Sequence, residues 1–133
     1  MSYRDFTLKE VTRRFGLSIA ASESLFAGVP EVEPSPLLRE LLREYLPLAR
    51  AINTEKARSE FLIAPILAEV RARLEHRISL FSGVEFTVIP EQGLNGFCDF
   101  ILSRSPEQQF LTAPLVAIVE AKNENLKAEA QPA

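Results

Sequence analysis

Apolar residues recur at every third or fourth position in several stretches of the chain, a spacing typical of amphipathic helices. The first predicted helix covers residues 7–17, with Thr7 as its N-cap. The second begins at Ser35 and is expected to end near Tyr45, because Pro47 follows and proline disrupts a helix interior. The N-terminal part of the chain is therefore predicted to be helical, with an irregular connector between the two helices.

A third and longer helix is predicted from a cap at residues 53–54 to about Arg77, with a kink at Pro65. Its apolar stripe consists of Ile63, Leu67, Val70 and Leu74. At 100° per residue, Glu60 falls on the edge of that stripe and Glu69 on the opposite side. Glu60 is therefore predicted to point inward, although a partly exposed glutamate near the start of a helix is an equally ordinary interpretation.

After this helix the pattern changes to short apolar runs, which are typical of strands. Residues 78–89 predict either one bent strand or a tight hairpin, and residues 90–96 a loop. Two further strands are predicted at 96–102 and 115–122, with the polar segment 103–114 joining them. The length of that segment suits an antiparallel connection between neighbouring strands.

Each of the last two strands carries acid where a buried strand ordinarily has an apolar residue. Side chains alternate along a strand, so Glu120 and Lys122 share one face of theirs, and Asp99 shares a face with Phe97 and Ile101. If the strands are neighbours, two carboxylates and an ammonium group converge. Charged groups are costly to bury unless they are paired or bind a cation, so the trio indicates either a site or a structural ion pair. Because buried ion pairs rarely add stability, we favour a site.

Composition places limits on the class of protein. The chain has 133 residues, of which 47% are hydrophobic and 25% charged, which is the size of one domain with its own core. We expect residues 1–52 to form a helical segment packed on a core of residues 53–133. No apolar run approaches the length of a membrane helix and no signal peptide is evident, so we expect a cytoplasmic protein without a membrane partner.

Charge and the rarer residue types narrow the chemistry further. The net charge of −3 argues against a general nucleic-acid coat protein, but a local stripe of Arg71, Arg73 and Arg77 remains compatible with binding a polyanion. The single cysteine, Cys98, lies within an apolar strand and is expected to be a small core residue. The single histidine, His76, is expected at the surface.

The order of helix, hairpin or strand, strand with Asp99, and strand with Glu120, Ala121 and Lys122 resembles the PD-(D/E)XK nuclease superfamily, the fold of many restriction endonucleases, here as a bacterial member. The resemblance implies an α/β (α+β) fold with a mixed sheet and hydrolysis of phosphodiester bonds in nucleic acid, DNA before RNA, with Mg²⁺ or Mn²⁺. It implies Asp99, Glu120 and the Ala121 carbonyl as metal ligands and Glu60 as an additional acid. It implies Lys122 as the residue that orients or helps to deprotonate the attacking water. Cys98 stands where the family has proline before the first acid.

The end of the chain departs from that family. Its core continues with a helix and a strand, whereas eleven residues follow Lys122 in the 133-residue sequence. A fragment, a shortened variant or a layer supplied by a partner, such as a second copy in a homodimer, would each account for this. The alternative function is a non-catalytic nucleic-acid-binding or assembly module that keeps the nuclease fold.

Overall fold

A computed structural model of the protein describes residues 5–21 and 24–123. Helix α1 spans Leu8–Arg14 and begins at the predicted cap. The Thr7 side chain accepts a hydrogen bond from the Glu10 N–H (3.3 Å), and the Glu10 carboxylate accepts one from the Thr7 N–H (2.8 Å). The helix ends earlier than predicted, and none of its residues is buried, so the predicted cap is confirmed but the predicted length is not.

Helix α2 spans Pro36–Ile52 and starts at the predicted Ser35 cap, whose hydroxyl accepts a hydrogen bond from the Leu38 N–H (3.1 Å). The predicted end near Tyr45 is wrong, because the helix continues through Pro47. A proline inside a helix removes one backbone donor. Packing beyond that point offsets the loss, since Ala49 is completely buried. The helix ends at Asn53, whose left-handed conformation (φ 52°) closes the last turn.

The third predicted helix is present but is not a uniform α-helix. Helix α3 spans Glu55–Arg58, a π-helical turn follows at Ser59–Ile63, and helix α4 spans Ala64–Arg73. The π-helical turn lies directly before Pro65, the position predicted to kink the helix, and wide turns of this kind are a known way to bend a helix. The helix ends before the predicted Arg77, and Glu75 and His76 follow with positive φ.

Three strands form one antiparallel sheet in the order β1-β2-β3. They are β1 at Ser79–Glu85, β2 at Phe97–Ser103 and β3 at Leu115–Val119. The first is one strand through Gly83, not a hairpin. The α+β class is thus confirmed, whereas the expectation of a mixed sheet is not met by the described strands, which are antiparallel throughout.

The register of β2 and β3 pairs Phe100 with Val119 and Ile101 with Ile118, and it shifts between Leu102 and Ser103. One face of the sheet packs on α4. The core cluster on that face is Leu67, Ile78, Phe100 and Leu102. Of the predicted helix stripe, Leu67 is buried, but Leu74 is 40% exposed because the helix ends just before it.

The chain forms two compact units. Of the described residues, one unit comprises 5–21, 24–33 and 85–97 and includes α1 and a short 3₁₀ turn at Pro90–Gln92. The other comprises 34–84 and 98–123, and it holds α2, α3, α4 and most of the sheet. The domain boundary between residues 52 and 53 stays a prediction. Within the described ranges, no helix has both the length and the apolar character needed to cross a membrane.

Candidate metal centre

The predicted pairing of acids is present at the end of strands β2 and β3. One step along the register from Phe100 and Val119 places Asp99 opposite Glu120. The Ala121 N–H donates a hydrogen bond to Asp99 Oδ2 (2.8 Å), and the Asp99 N–H donates one to Glu120 Oε1 (3.4 Å). Each carboxylate therefore accepts a backbone hydrogen bond from the opposite strand, which holds the two side chains side by side.

Two neighbouring negative charges repel each other. Glu120 is exposed and Asp99 is half-buried. Partial loss of water around its carboxyl, and next the negative charge of Asp99, raise the pKa of Glu120 above its ordinary value. The Lys122 ammonium group acts in the opposite direction and lowers it. A bound cation would relieve the repulsion, so the pair has the electrostatic character of a cation-binding site.

Lys122 lies beside the acids but is mostly exposed to solvent, with 76% of its side chain accessible. Its Nζ is 3.9 Å from Oε1 of Glu55, the first residue of α3, which is a long and half-exposed ion pair. Such a pair holds the lysine weakly, so the ammonium group is free to reorient toward a bound ligand.

Glu60 does not point inward as predicted. Its side chain is 54% exposed, and its carboxylate is 3.6 Å from the ammonium group of Lys56. The physical reason is the π-helical turn, in which each residue advances by a smaller angle than in the α-helix that the prediction assumed. Its assignment as an additional site acid was made on that assumed orientation.

Glu55 is the helix acid that contacts the predicted site, and the sequence analysis missed it. It follows the Thr54 cap, a position where an acidic residue ordinarily complements the helix dipole. Because an acid at this position is ordinarily explained by the helix dipole, the sequence does not indicate that Glu55 lies near the site. Only the tertiary arrangement brings Glu55 to Lys122.

A buried apolar residue lies next to each acid in the chain, Cys98 before Asp99 and Ala121 after Glu120. Ala121 is 1% exposed, and its N–H is already engaged by Asp99. Cys98 is buried, as predicted, and the pKa of its thiol is raised first by burial and then by the charges of Glu120 and Asp99. The thiol is therefore protonated at neutral pH and is a core residue instead of a metal ligand.

The donor set fits a hard cation that keeps much of its water. Within residues 5–21 and 24–123, no group of three or more His, Cys, Asp or Glu side chains is arranged to hold a metal. Two carboxylates are enough for Mg²⁺ or Mn²⁺, which bind oxygen and retain water, and too few for Zn²⁺ or Ca²⁺ sites. Asp99 and Glu120 would be the ligands, and the Ala121 carbonyl stays a prediction.

The three arginines predicted to form a positive stripe each have a different environment in the structure. Arg73 pairs with Glu69 (3.6 Å), and Arg77 donates from Nε to the carbonyl of Leu74 (3.1 Å). The Nε of Arg71 is buried and makes no hydrogen bond to any described residue. His76 is exposed, as predicted.

Comparison with known proteins gives no relative: neither the protein-family models, nor the curated proteins, nor the solved structures include a match to this chain. The fold and the acid pair define an α+β domain with a candidate metal centre. The resemblance to the PD-(D/E)XK nucleases stays a prediction from the sequence.

Proposed function

We propose that this protein hydrolyses phosphodiester bonds in nucleic acid, with a divalent metal ion held by Asp99 and Glu120. The observation that carries the proposal is the pair of reciprocal hydrogen bonds at the two acids. Each carboxylate accepts a backbone hydrogen bond from the strand of the other acid (2.8 and 3.4 Å). Carboxylates held together at the end of a sheet, with the pKa of one raised by partial loss of water and by the other, are typical of functional sites.

The two acids and Lys122 have different roles in this proposal. Asp99 and Glu120 supply the negative charge that holds Mg²⁺ or Mn²⁺, and the buried Ala121 keeps that end of the sheet closely packed. When bound, the ion supplies charge stabilisation for the phosphate and activation of water. Lys122 positions the attacking water and contacts the phosphate, which its exposed side chain and weak tether to Glu55 permit.

The substrate class follows from the same site. A hard divalent ion next to a solvent-exposed ammonium group is suited to a phosphate ester at the surface of a larger molecule. The site carries no separate recognition feature for a base, and the overall charge of −3 favours brief contact over tight general binding. We propose DNA as the substrate, in line with the resemblance of the sequence to the PD-(D/E)XK nucleases.

The proposal is tested by incubating the protein with single-stranded, duplex and branched DNA and with RNA, in Mg²⁺ or Mn²⁺. Lys122→Ala is expected to lower the cleavage rate by about 100-fold or more, since it removes the group that positions water. Lys56→Ala is the matched control: its ammonium group is 82% exposed and also pairs with a helix glutamate. Loss of an exposed pair of this kind should change the rate by less than about twofold.

The alternative, a non-catalytic binding or assembly module, gives a different result. The native protein would then bind DNA or self-associate but cleave none of the substrates at any metal concentration. Cleavage that is equal in native protein and Lys122→Ala would contradict the proposed role of this site.

A further inference from the structure

The two outer strands of the sheet differ in how their free edges are protected. An exposed strand edge offers backbone donors and acceptors to any other strand, and proteins usually guard it with charges, prolines or a covering segment. Strand β1 has such protection. The Gln108 side-chain amide accepts from the Leu80 N–H (3.0 Å) and donates to the Leu80 carbonyl (2.5 Å), so it takes the place of a neighbouring strand.

Within residues 5–21 and 24–123, no side chain caps the free edge of strand β3 in this way. Its five residues, Leu115–Val119, carry no charge and no proline. Among the described strands, only β2 lies beside it. Val116 and Ile118 are 55% and 48% exposed on the face that also carries Glu120. An apolar edge strand of this kind is the form that pairs with a second strand.

We infer that β3 pairs with β3 of a second copy of this chain, in an antiparallel arrangement about a twofold axis at Ala117. This arrangement is self-complementary. It places Val116 opposite Ile118 of the second copy and Ile118 opposite its Val116, so that the exposed apolar side chains cover one another.

Charge is compatible with the same arrangement. The paired segment contains no ionisable group, so pairing buries no charge. Glu120 lies opposite Pro114 of the second copy, and the two copies of Glu120 are six residues apart along the strands, or about 20 Å. Pro114 ends the pairing because it lacks an N–H. The short contact predicts a weak dimer in rapid exchange, since stable dimers bury more surface than a five-residue edge provides.

The association is measured by sedimentation velocity of the full chain over a series of concentrations. We expect the sedimentation coefficient to rise with concentration from monomer to dimer. Val116→Lys should weaken the dimer by about tenfold or more, because it places a charge on the edge strand. Leu37→Lys is the matched control, since Leu37 is 71% exposed on α2 and should leave association unchanged.

Register is tested separately by disulfide formation. Val116→Cys and Ile118→Cys are prepared as two proteins, each with Cys98→Ala to remove the native thiol. Directly opposite residues have Cα atoms about 4.5–5.5 Å apart, within disulfide range. The mixture should therefore form a covalent dimer that neither protein forms alone. A monomer at every concentration, or a dimer equally weakened by both lysine substitutions, would overturn the inference.

Discussion

A carboxylate oxygen of Glu120 accepts the hydrogen bond of the Asp99 N–H, while the Asp99 carboxylate accepts the N–H of Ala121. This exchange explains why strand β3 ends at Val119, because side chains replace backbone groups in the ladder from that point. It also explains why the two acids tolerate each other, since each has a donor. The site is therefore a consequence of how the sheet ends.

The closeness of Asp99 and Glu120 could be predicted because the signal is local. An acid inside an apolar run is conspicuous, and alternation fixes the face on which it lies. Glu60 and Glu55 could not be distinguished in this way. The orientation of Glu60 depends on a π-helical turn, which the spacing of apolar residues does not predict. The role of Glu55 depends on a tertiary contact with Lys122.

The difference between these two glutamates gives a direct prediction. Glu55→Gln removes the charge beside Lys122 and is expected to lower the cleavage rate by about two- to fivefold, which is what an exposed ion pair is worth. Glu60→Gln, on an exposed side chain paired with Lys56, should have little effect.

The rates of both variants are measured at saturating Mg²⁺ with the substrate found for the native protein. Thermal unfolding of each variant serves as the control for folding. Equal rates in Glu55→Gln and native protein would mean that the helix does not support Lys122 during the reaction.

At the scale of elements, the helix starts were predictable and the helix interiors were not. Thr7, Ser35 and Thr54 all cap as expected, because capping depends on one side chain and the next turn. Pro47 lies within α2, because packing of neighbours such as Ala49 outweighs the lost hydrogen bond. Burial of this kind depends on the folded structure, so the residues around Pro47 in the sequence do not predict it.

Glu69 connects two of these elements and links stability to pH. Its carboxylate accepts hydrogen bonds from the Ser35 hydroxyl and the Ser35 N–H (3.1 Å), so it fixes the start of α2 against α4. The Ser35 hydroxyl, more than the charge of Arg73, lowers the pKa of the Glu69 carboxyl. The helical period predicts Glu69 on the side opposite the apolar stripe, and it does not show that the Ser35 cap of α2 contacts Glu69.

Because the folded pKa of Glu69 is lowered, its stabilisation is present above the unfolded glutamate pKa, about 4.3, and is lost as the pH falls through the folded value. Glu69→Gln should therefore lower the melting temperature at neutral pH, and the difference from native protein should shrink on acidification. Glu44→Gln, an exposed glutamate on α2, is the control. Melting temperatures followed by circular dichroism from neutral to acidic pH test this, and a difference that is constant with pH would contradict it.

At the scale of the whole molecule, the class of fold and the neighbouring position of the two acidic strands followed from the sequence. The division into two compact units did not, because it depends on which distant segments of the chain associate, here residues 85–97 with the N-terminal segment. The difference between the two edges of the sheet could not be predicted from the sequence either, since it depends on hydrogen bonds of one side chain, Gln108, to strand β1.

The central claim is that Asp99 and Glu120 together hold a divalent metal ion. The measurement that tests it most directly is isothermal titration calorimetry of Mn²⁺ into native protein and into Asp99→Asn. Glu60→Gln is the matched control, because it removes the same charge from an exposed acid elsewhere.

We expect native protein and Glu60→Gln to bind Mn²⁺ equally, and Asp99→Asn to bind it about tenfold or more weakly, since one of two charged ligands is lost. Circular dichroism must show that the Asp99→Asn protein is folded. Native protein that binds no Mn²⁺, or Asp99→Asn that binds it as tightly as native protein does, would contradict the account.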